Sequence, residues 1–212
     1  MTPYYADDLV TIYHGDVLTI LPTIPPMVHD LTIADPPYGM AYKPGAVHVN
    51  AIAYDRVQGD DAPFDPAILL GRGDLIAWGA NYYADRLPPM GGWVGWDKRT
   101  RNGLLVRSSE AEFAWSNCVA SPKLFRFMWA GAFRDADRDL YAHPTQKPVE
   151  LMSWCLSLVR DVRRVIEPFA GLAPAARAAK NASIPAIAIE IEERYCEIAA
   201  NRCRQEVLGL GA

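Results

Sequence analysis

Cysteine and histidine are scarce in this sequence, with four of each among 212 residues. The cysteines form no C-x-x-C pair, and no histidine lies at metal-ligand spacing from Cys118, Cys155, Cys196 or Cys203. Zinc sites usually show such spacings, and disulfide frameworks belong to oxidising compartments. We therefore expect no bound metal, and reduced thiols that are mostly buried.

Long apolar runs are also missing. No stretch approaches the ~18 uninterrupted apolar residues of a membrane-spanning helix. The first residues, MTPYYADDLV, carry acids where a signal peptide has basic residues and then an apolar run. These features favour a cytoplasmic protein with no membrane partner.

The overall composition is that of a globular chain, with 50% hydrophobic and 22% charged residues. A chain of 212 residues can bury one sizeable core. We expect a single domain over residues 1–212.

The net charge of −4 argues weakly against a nucleic-acid partner, but the charges are unevenly spread. Residues 1–96 carry 4 basic and 11 acidic side chains, and residues 139–212 carry 9 of each. Residues 97–138 carry 8 basic and 5 acidic side chains. On charge alone, a solvated loop face is the preferred interpretation of this basic segment.

Short apolar stretches alternate with segments of helical periodicity. We predict strands at Val10–His14, Leu31–Ala34, Asp74–Gly79, Gly92–Trp96, Ala111–Trp115, Leu124–Trp129, Arg164–Phe169 and Ala186–Ile191. We predict helices at Pro66–Leu70, Lys147–Arg160, Pro174–Lys180 and Ile191–Leu208. This alternation indicates an α/β fold with a mostly parallel sheet flanked by helices. Residues 40–63 have few long apolar runs and several Gly, Pro and Asn, so we expect a mobile excursion there.

Polar residues stand at the carboxyl ends of several predicted strands: Asp16, Asp35, Glu167 with Gly171, and Glu190. Ligands of open α/β sheets bind at this edge, so these residues suggest a shared pocket. Glu190 follows the turn glycine Gly171 by 19 residues, a spacing that suits an acid holding a ribose. A helix-capping or surface acid is an equally good interpretation from spacing alone.

Four motifs together resemble the amino-methyltransferases of bacterial and phage DNA. They are DPPY (35–38), HPTQKP (143–148), EPFAG (167–171) and IEIEERYCEIA (189–199). Their order is similar to the permuted β class, in which the catalytic DPPY precedes the cofactor strand. Segments 78–99 and 110–116 also look like small, phage-type members, so the resemblance covers nearly the whole chain. It implies a Rossmann-like fold that transfers methyl from S-adenosylmethionine to adenine N6 or cytosine N4, in a bacterial or phage-infected cell.

In this family the DPPY corner performs the chemistry. The resemblance implies that Asp35 accepts a hydrogen bond from the target amine and that the backbone carbonyl of Pro36 or Pro37 accepts another. Proline fixes φ, so that carbonyl is held in direction. Tyr38 would stack on a base extruded from double-stranded DNA. A Pro-Pro turn with a capping Asp is the alternative for an isolated D-P-P.

The resemblance also assigns the other contacts. The implied cofactor-binding residues are Asp16, Asp35, Thr145, Gln146, Lys147, Glu167, Phe169, Gly171 and Glu190, with Glu190 on the ribose and residues 145–147 opening a helix. The basic residues at 97–138 become the DNA-facing set, namely Lys98, Arg99, Arg101, Arg107, Lys123 and Arg126. Phosphate contacts of this kind give affinity without sequence choice. The excursion at 40–63 would order on DNA.

The cofactor turn departs from the family pattern D-P-F-x-G-S-G-T-T. This chain has Glu167-Pro-Phe-Ala-Gly-Leu-Ala-Pro-Ala175, so Ala173 replaces a glycine and Pro174 and Ala175 replace two threonines. A Cβ then enters where backbone usually approaches the ligand. Two interpretations remain, an enzyme that tolerates the change or a DNA-binding protein without catalysis.

Asp35 favours adenine over cytosine, because family members that methylate cytosine N4 more often carry Ser or Thr before P-P-Y. N4-cytosine methylation stays the same-class alternative. A small-molecule methyltransferase would leave the basic segment unexplained. A restriction-modification partner and a homodimer are compatible with the sequence.

Overall fold

The computed structural model describes residues 1–39, 59–98, 109–130, 133–134 and 146–205. Eleven strands lie in these ranges. They are β1 (Tyr5–Ala6), β2 (Val10–His14), β3 (Asp30–Ala34), β4 (Asp74–Trp78), β5 (Gly92–Asp97), β6 (Ala111–Ser116), β7 (Lys123–Arg126), β8 (Trp129–Ala130), β9 (Phe133–Arg134), β10 (Arg164–Glu167) and β11 (Ala186–Glu190). The predicted strand 124–129 is therefore two short strands, of which β8 pairs with β9 in a separate ribbon.

The other nine strands form one sheet in the order β1-β2-β11-β10-β3-β4-β6-β5-β7. Strands β2, β11, β10, β3 and β4 are parallel neighbours. Strand β6 is antiparallel to β4 and β5, and β7 is parallel to β5. The predicted α/β fold with a mostly parallel sheet is confirmed. Beyond β4 the sheet continues through β6, β5 and β7, which we call the antiparallel arm because β6 is antiparallel to both of its neighbours.

Four helices lie in the described ranges: α1 (Val17–Ile20), α2 (Val149–Ser157), α3 (Pro174–Asn181) and α4 (Glu193–Arg204). One-turn 3-10 helices occupy Leu21–Thr23, Pro66–Ile68, Ala80–Tyr82 and Ala84–Arg86. The prediction that residues 145–147 open a helix is wrong for Gln146 and Lys147. Helix α2 begins at Val149, because Pro148 adopts an extended conformation and serves as its N-cap. None of these helices is long and apolar enough to cross a membrane.

Side chains of β4 alternate between two cores, as the two-residue period of a strand requires. Ile76 and Trp78 join the core beneath α2, α3 and α4, and Leu75 and Ala77 join the core on the opposite face. All four cysteines are free and three of them are buried, which agrees with the expected thiols.

An ion pair fixes the amino-terminal edge of the central sheet. Arg164, at the start of β10, donates from Nε and Nη2 to the carboxylate of Asp30 on β3, at 2.9 and 2.6 Å. Only 2% of Asp30 is exposed. The parallel register that follows brings the carboxyl ends of five strands to the opposite edge, where the predicted site residues lie.

Candidate active site

The chain turns sharply at Asp35, directly after β3, and two contacts hold the turn. The Gly39 N–H donates to the carboxylate of Asp60, which is 8% exposed, at 2.8 Å. Gly39 has φ 77°, and a Cβ there would lie 2.6 Å from the carbonyl carbon of Ala62. Residues 59–63 therefore pack against the corner, whereas 40–58 of the predicted excursion lie outside the described residues.

Both oxygens of the Asp35 carboxylate accept hydrogen bonds. The Tyr38 hydroxyl donates to Oδ1. The Lys147 ammonium donates to Oδ2 at 2.6 Å and to the Tyr38 hydroxyl at 3.3 Å. Burial and the neighbouring Asp35 carboxylate raise the pKa of Tyr38 well above its ordinary value, so this hydroxyl stays a donor.

The second carboxylate of the site is Glu112 on β6, which the sequence analysis did not identify. Glu112 Oε2 lies 3.0 Å from Lys147 Nζ, and Lys98 binds the other oxygen. Burial alone would raise the pKa of Glu112, but the Lys147 and Lys98 charges outweigh it and hold that pKa at about 2. The available signal was strand period, since Glu112 shares a face of β6 with the buried Ala114.

Lys147 lies between the carboxylates of Asp35 and Glu112, and its side chain is 5% exposed. Burial would lower its pKa, but Asp35 and Glu112 together raise it above the ordinary value. The ammonium is therefore charged at neutral pH. The sequence predicted that Lys147 contacts the cofactor. In the structure its ammonium binds Asp35 and Tyr38 of the DPPY corner (35–38).

Glu190 and Gly171 meet at the ends of β11 and β10, as their spacing suggested. Glu190 accepts hydrogen bonds from the N–H groups of Gly171 at 2.6 Å and Glu192 at 2.8 Å. Burial raises the pKa of Glu190, and these two hydrogen bonds counteract part of that rise. The carboxylate thus ties the turn after β10 to the residues that follow β11.

Glu167 lies underneath this turn. Its two oxygens accept from the N–H groups of Ala175 and Ala176, at 2.9 and 2.8 Å, at the start of α3. Burial, only partly offset by these hydrogen bonds, raises the pKa of Glu167 to about 8. This geometry makes Glu167 a support of the turn.

The altered residues of the turn face the interior. Leu172, Ala173 and Ala175 are at most 2% exposed. Ala173 has φ 52°, a left-handed conformation that is unfavourable for alanine by about 1–2 kcal/mol. Its Cβ packs in the core below α3 and is not exposed at the carboxyl edge of the sheet, where Asp35 and Glu190 lie.

Three further predicted cofactor contacts lie at the same edge or beside it. Asp16 follows β2, is exposed, and accepts from the Leu18 N–H at 2.8 Å as the N-cap of α1. Phe169 is half-buried and packs edge-on against Phe64. Gln146 has a buried side-chain oxygen with no hydrogen-bond partner among the described residues. Thr145 lies outside those residues.

The predicted DNA-facing residues divide into three groups. Lys123 and Arg126 are exposed on the edge strand β7, and Arg126 lies 3.7 Å from Asp97. The Lys98 side chain is 14% exposed and is bound to Glu112, so its ammonium belongs to the site cluster. Arg99, Arg101 and Arg107 lie outside the described residues.

Comparison with known proteins gives a consistent result. Residues 98–201 match the N6_N4_Mtase family, described as DNA methylase. A 38-residue stretch, 18% of this chain, is 45% identical to the type II methyltransferase M.ScaI of Streptomyces caespitosus and spans 12% of that protein.

Two solved structures share the fold over nearly the whole chain. M1.HpyAVI superposes with a TM-score of 0.57 at 20% identity, covering 93% of this chain and 100% of that one. The cytosine-N4-specific PvuII DNA methyltransferase superposes with a TM-score of 0.68 at 15% identity, covering 98% and 90%.

The sheet order, the corner after β3 and the loop after β10 thus define an α/β protein with the fold of S-adenosylmethionine-dependent DNA methyltransferases. Residues 98–201, just under half of the chain, also match the family of DNA methylases whose name covers the N6 and N4 enzymes.

Proposed function

We propose that this chain transfers methyl from S-adenosylmethionine to the exocyclic N6 of adenine in double-stranded DNA, with the target base extruded. The observation that carries the proposal is the Asp35 carboxylate in a fixed corner at the carboxyl edge of the sheet. The Glu190–Gly171 contact lies at the same edge. One edge of the sheet therefore offers both an acceptor for an amine and a carboxylate suited to the hydroxyls of a ribose.

The cofactor supplies an electrophilic methyl group when it is bound. The residues that would hold it are Glu190, Gly171, Asp16, Phe169 and Gln146. They fit this role because the side chains at 172, 173 and 175 are buried in the protein, and because the orphaned oxygen of Gln146 lacks a donor among the described residues. The departures at 172–175 are therefore compatible with an active enzyme.

Asp35 acts on the amine. An exocyclic amine is a weak nucleophile, because its lone pair is delocalised into the ring, and positive charge grows on its nitrogen during transfer. A fixed carboxylate that accepts one N–H stabilises that charge. A carboxylate has about four lone-pair sites, so Asp35 can accept from the amine while Lys147 and Tyr38 keep it oriented. The Pro36 or Pro37 carbonyl would accept the second N–H.

DNA would be held mainly through phosphates by Lys123 and Arg126, together with Arg99, Arg101 and Arg107. Such contacts contribute affinity that falls with salt concentration and carry no sequence information. The segment 97–138 is short for a recognition domain, so we expect a short or loosely defined target sequence.

The experiment is incubation of the purified chain with unmethylated DNA and S-adenosylmethionine, followed by nucleoside mass spectrometry. We expect N6-methyladenine with the wild type and none with Asp35→Ala. Formation of N4-methylcytosine instead would make cytosine the target base and would leave the proposed cofactor, DNA substrate and role of Asp35 unchanged. Calorimetry with Glu190→Ala as control tests the cofactor separately: absence of binding near millimolar cofactor by the folded wild type would favour a non-catalytic DNA-binding protein.

A further inference from the structure

Two groups pack against the Tyr38 ring. One face lies on the backbone of Gly79, immediately after β4, because a Cβ built on Gly79 would come within 1.8 Å of Tyr38 Cε1. The ring of Tyr82 stacks on Tyr38, with centroids 5.2 Å apart and planes inclined by 18°. We call the surroundings of the Tyr38 ring, bounded by the Gly79 backbone and the Tyr82 ring, the slot.

The Gly79 side of the slot is rigid. Gly79 has φ 69°, a left-handed conformation that suits glycine, and it starts the 3-10 helix Ala80–Tyr82. The next residue, Tyr83, is fully buried and donates its hydroxyl to the Trp78 carbonyl at 2.7 Å. A planar ligand cannot enter between Tyr38 and this anchored backbone.

The Tyr82 side of the slot can open. Tyr82 is 48% exposed, and its hydroxyl makes no hydrogen bond among the described residues. Stacking on Tyr38 and the 3-10 turn that carries Tyr82 hold its ring in place. For a flat ring to fit between the two tyrosines, they need to separate to about 7 Å, twice a carbon–carbon contact distance of ~3.5 Å. Rotation of the exposed Tyr82 side chain provides this movement, while the backbone of the turn stays in place.

We propose that Tyr82 occupies the place of the target base in the free protein and then stacks on the outer face of the base that replaces it. The inference rests on the proposed function, in which an extruded base must lie on Tyr38. The base then gains two aromatic faces in exchange for one Tyr38–Tyr82 contact. Stacking on an aromatic side chain contributes about 1–3 kcal/mol per base and tolerates any base. Tyr82 is therefore a positioning residue, distinct from the amine acceptor Asp35.

Three variants test this role: Tyr82→Phe keeps the aromatic face, Tyr82→Leu keeps only apolar bulk, and Tyr82→Ala removes both. Trp93→Ala is the matched control, because Trp93 is a 37%-exposed aromatic that lines a separate cavity on β5, β6 and β7. We expect Tyr82→Phe and Trp93→Ala to stay within twofold of the wild-type KM for unmethylated DNA. Tyr82→Ala and Tyr82→Leu should raise that KM at least tenfold and leave cofactor affinity within twofold.

Fluorescence of a single-stranded oligonucleotide containing 2-aminopurine gives a readout that needs no catalysis. A base held between two tyrosines is quenched, so wild type and Tyr82→Phe should quench it, and Tyr82→Ala should quench much less. Wild-type KM and wild-type quenching in Tyr82→Ala would overturn the inference, as would an equal loss in Trp93→Ala. If the wild type forms no methylated nucleoside, the proposed function fails, and the quenching comparison still decides the role of Tyr82.

Discussion

The ammonium of Lys147 lies 2.6 Å from the Asp35 carboxylate, although 112 positions separate the two residues in the sequence. The same ammonium lies 3.0 Å from Glu112. One buried cation is therefore shared between the carboxylate of the DPPY corner and a carboxylate from the antiparallel arm. The arm supplies part of the site and does more than extend the sheet.

Replacing Lys147 by Met should lower kcat for methyl transfer at least tenfold at neutral pH. Asp35 would lose one of the two donors that orient it, and the half-buried Glu112 would keep, among the described residues, Lys98 as its positive partner. The pKa of Glu112, now about 2, should rise because a nearby positive charge is gone. Single-turnover methyl transfer measured across pH checks both effects.

The matched control is Lys147→Met combined with Glu112→Gln, which removes the surplus negative charge. We expect Lys147→Met to lower thermal stability and the double variant to recover it. The double variant still lacks the hydrogen bond from Lys147 to Asp35, so its rate should stay low. Full recovery of the rate would show that Lys147 acts only through folding. An unchanged rate in Lys147→Met alone would contradict the role assigned to this residue.

Stability should depend on the protonation of Glu167. Its folded-state pKa of about 8 lies above the ordinary 4.5, so the folded state holds this proton more tightly than the unfolded chain. The stabilisation that results is complete below about pH 4.5 and is lost as pH rises through 8. Urea unfolding at several pH values should show this decline in the wild type and a flatter profile in Glu167→Gln. Parallel profiles for the two proteins would rule out Glu167 as the cause.

Replacing only one partner of the Arg164–Asp30 ion pair should lower the free energy of unfolding strongly. Arg164→Met leaves a carboxylate that is 2% exposed without its bidentate partner. Removing one partner of a buried pair typically destabilises by about 3–5 kcal/mol. Arg126→Met is the control, because Arg126 is 76% exposed and lies 3.7 Å from Asp97. It should cost less than about 0.5 kcal/mol. Chemical denaturation measures both, and equal losses would refute the difference in burial as the cause.

Ala173→Gly should leave cofactor affinity within about twofold of the wild type. The Ala173 Cβ is buried in the core below α3, so removing it adds no space at the carboxyl edge of the sheet where the cofactor would bind. Relief of the left-handed conformation and loss of a buried methyl group act in opposite directions on stability. Calorimetric titration with S-adenosylmethionine is the measurement. A tenfold gain in affinity would mean that the methyl group crowds the cofactor after all.

The sequence by itself determined the central parallel strands, the helices that follow them and the corner after β3. Those features depend on local patterns: apolar runs of strand length, Pro-Pro after an acid, and a glycine turn followed by an acid 19 residues later. The same patterns predicted Asp16, Asp35, Glu167 with Gly171, and Glu190 at one edge of the sheet.

Only the tertiary structure decided which side chains meet at that edge. Strand β6 lies between β4 and β5, and this order brings Glu112 to Lys147. The register of β3 beside β4 brings Gly79 and Tyr82 to Tyr38. The burial of Ala173 also depended on how α3 packs. A one-dimensional pattern gives the face of an element, whereas a contact depends on the neighbour that the sheet order places against that face.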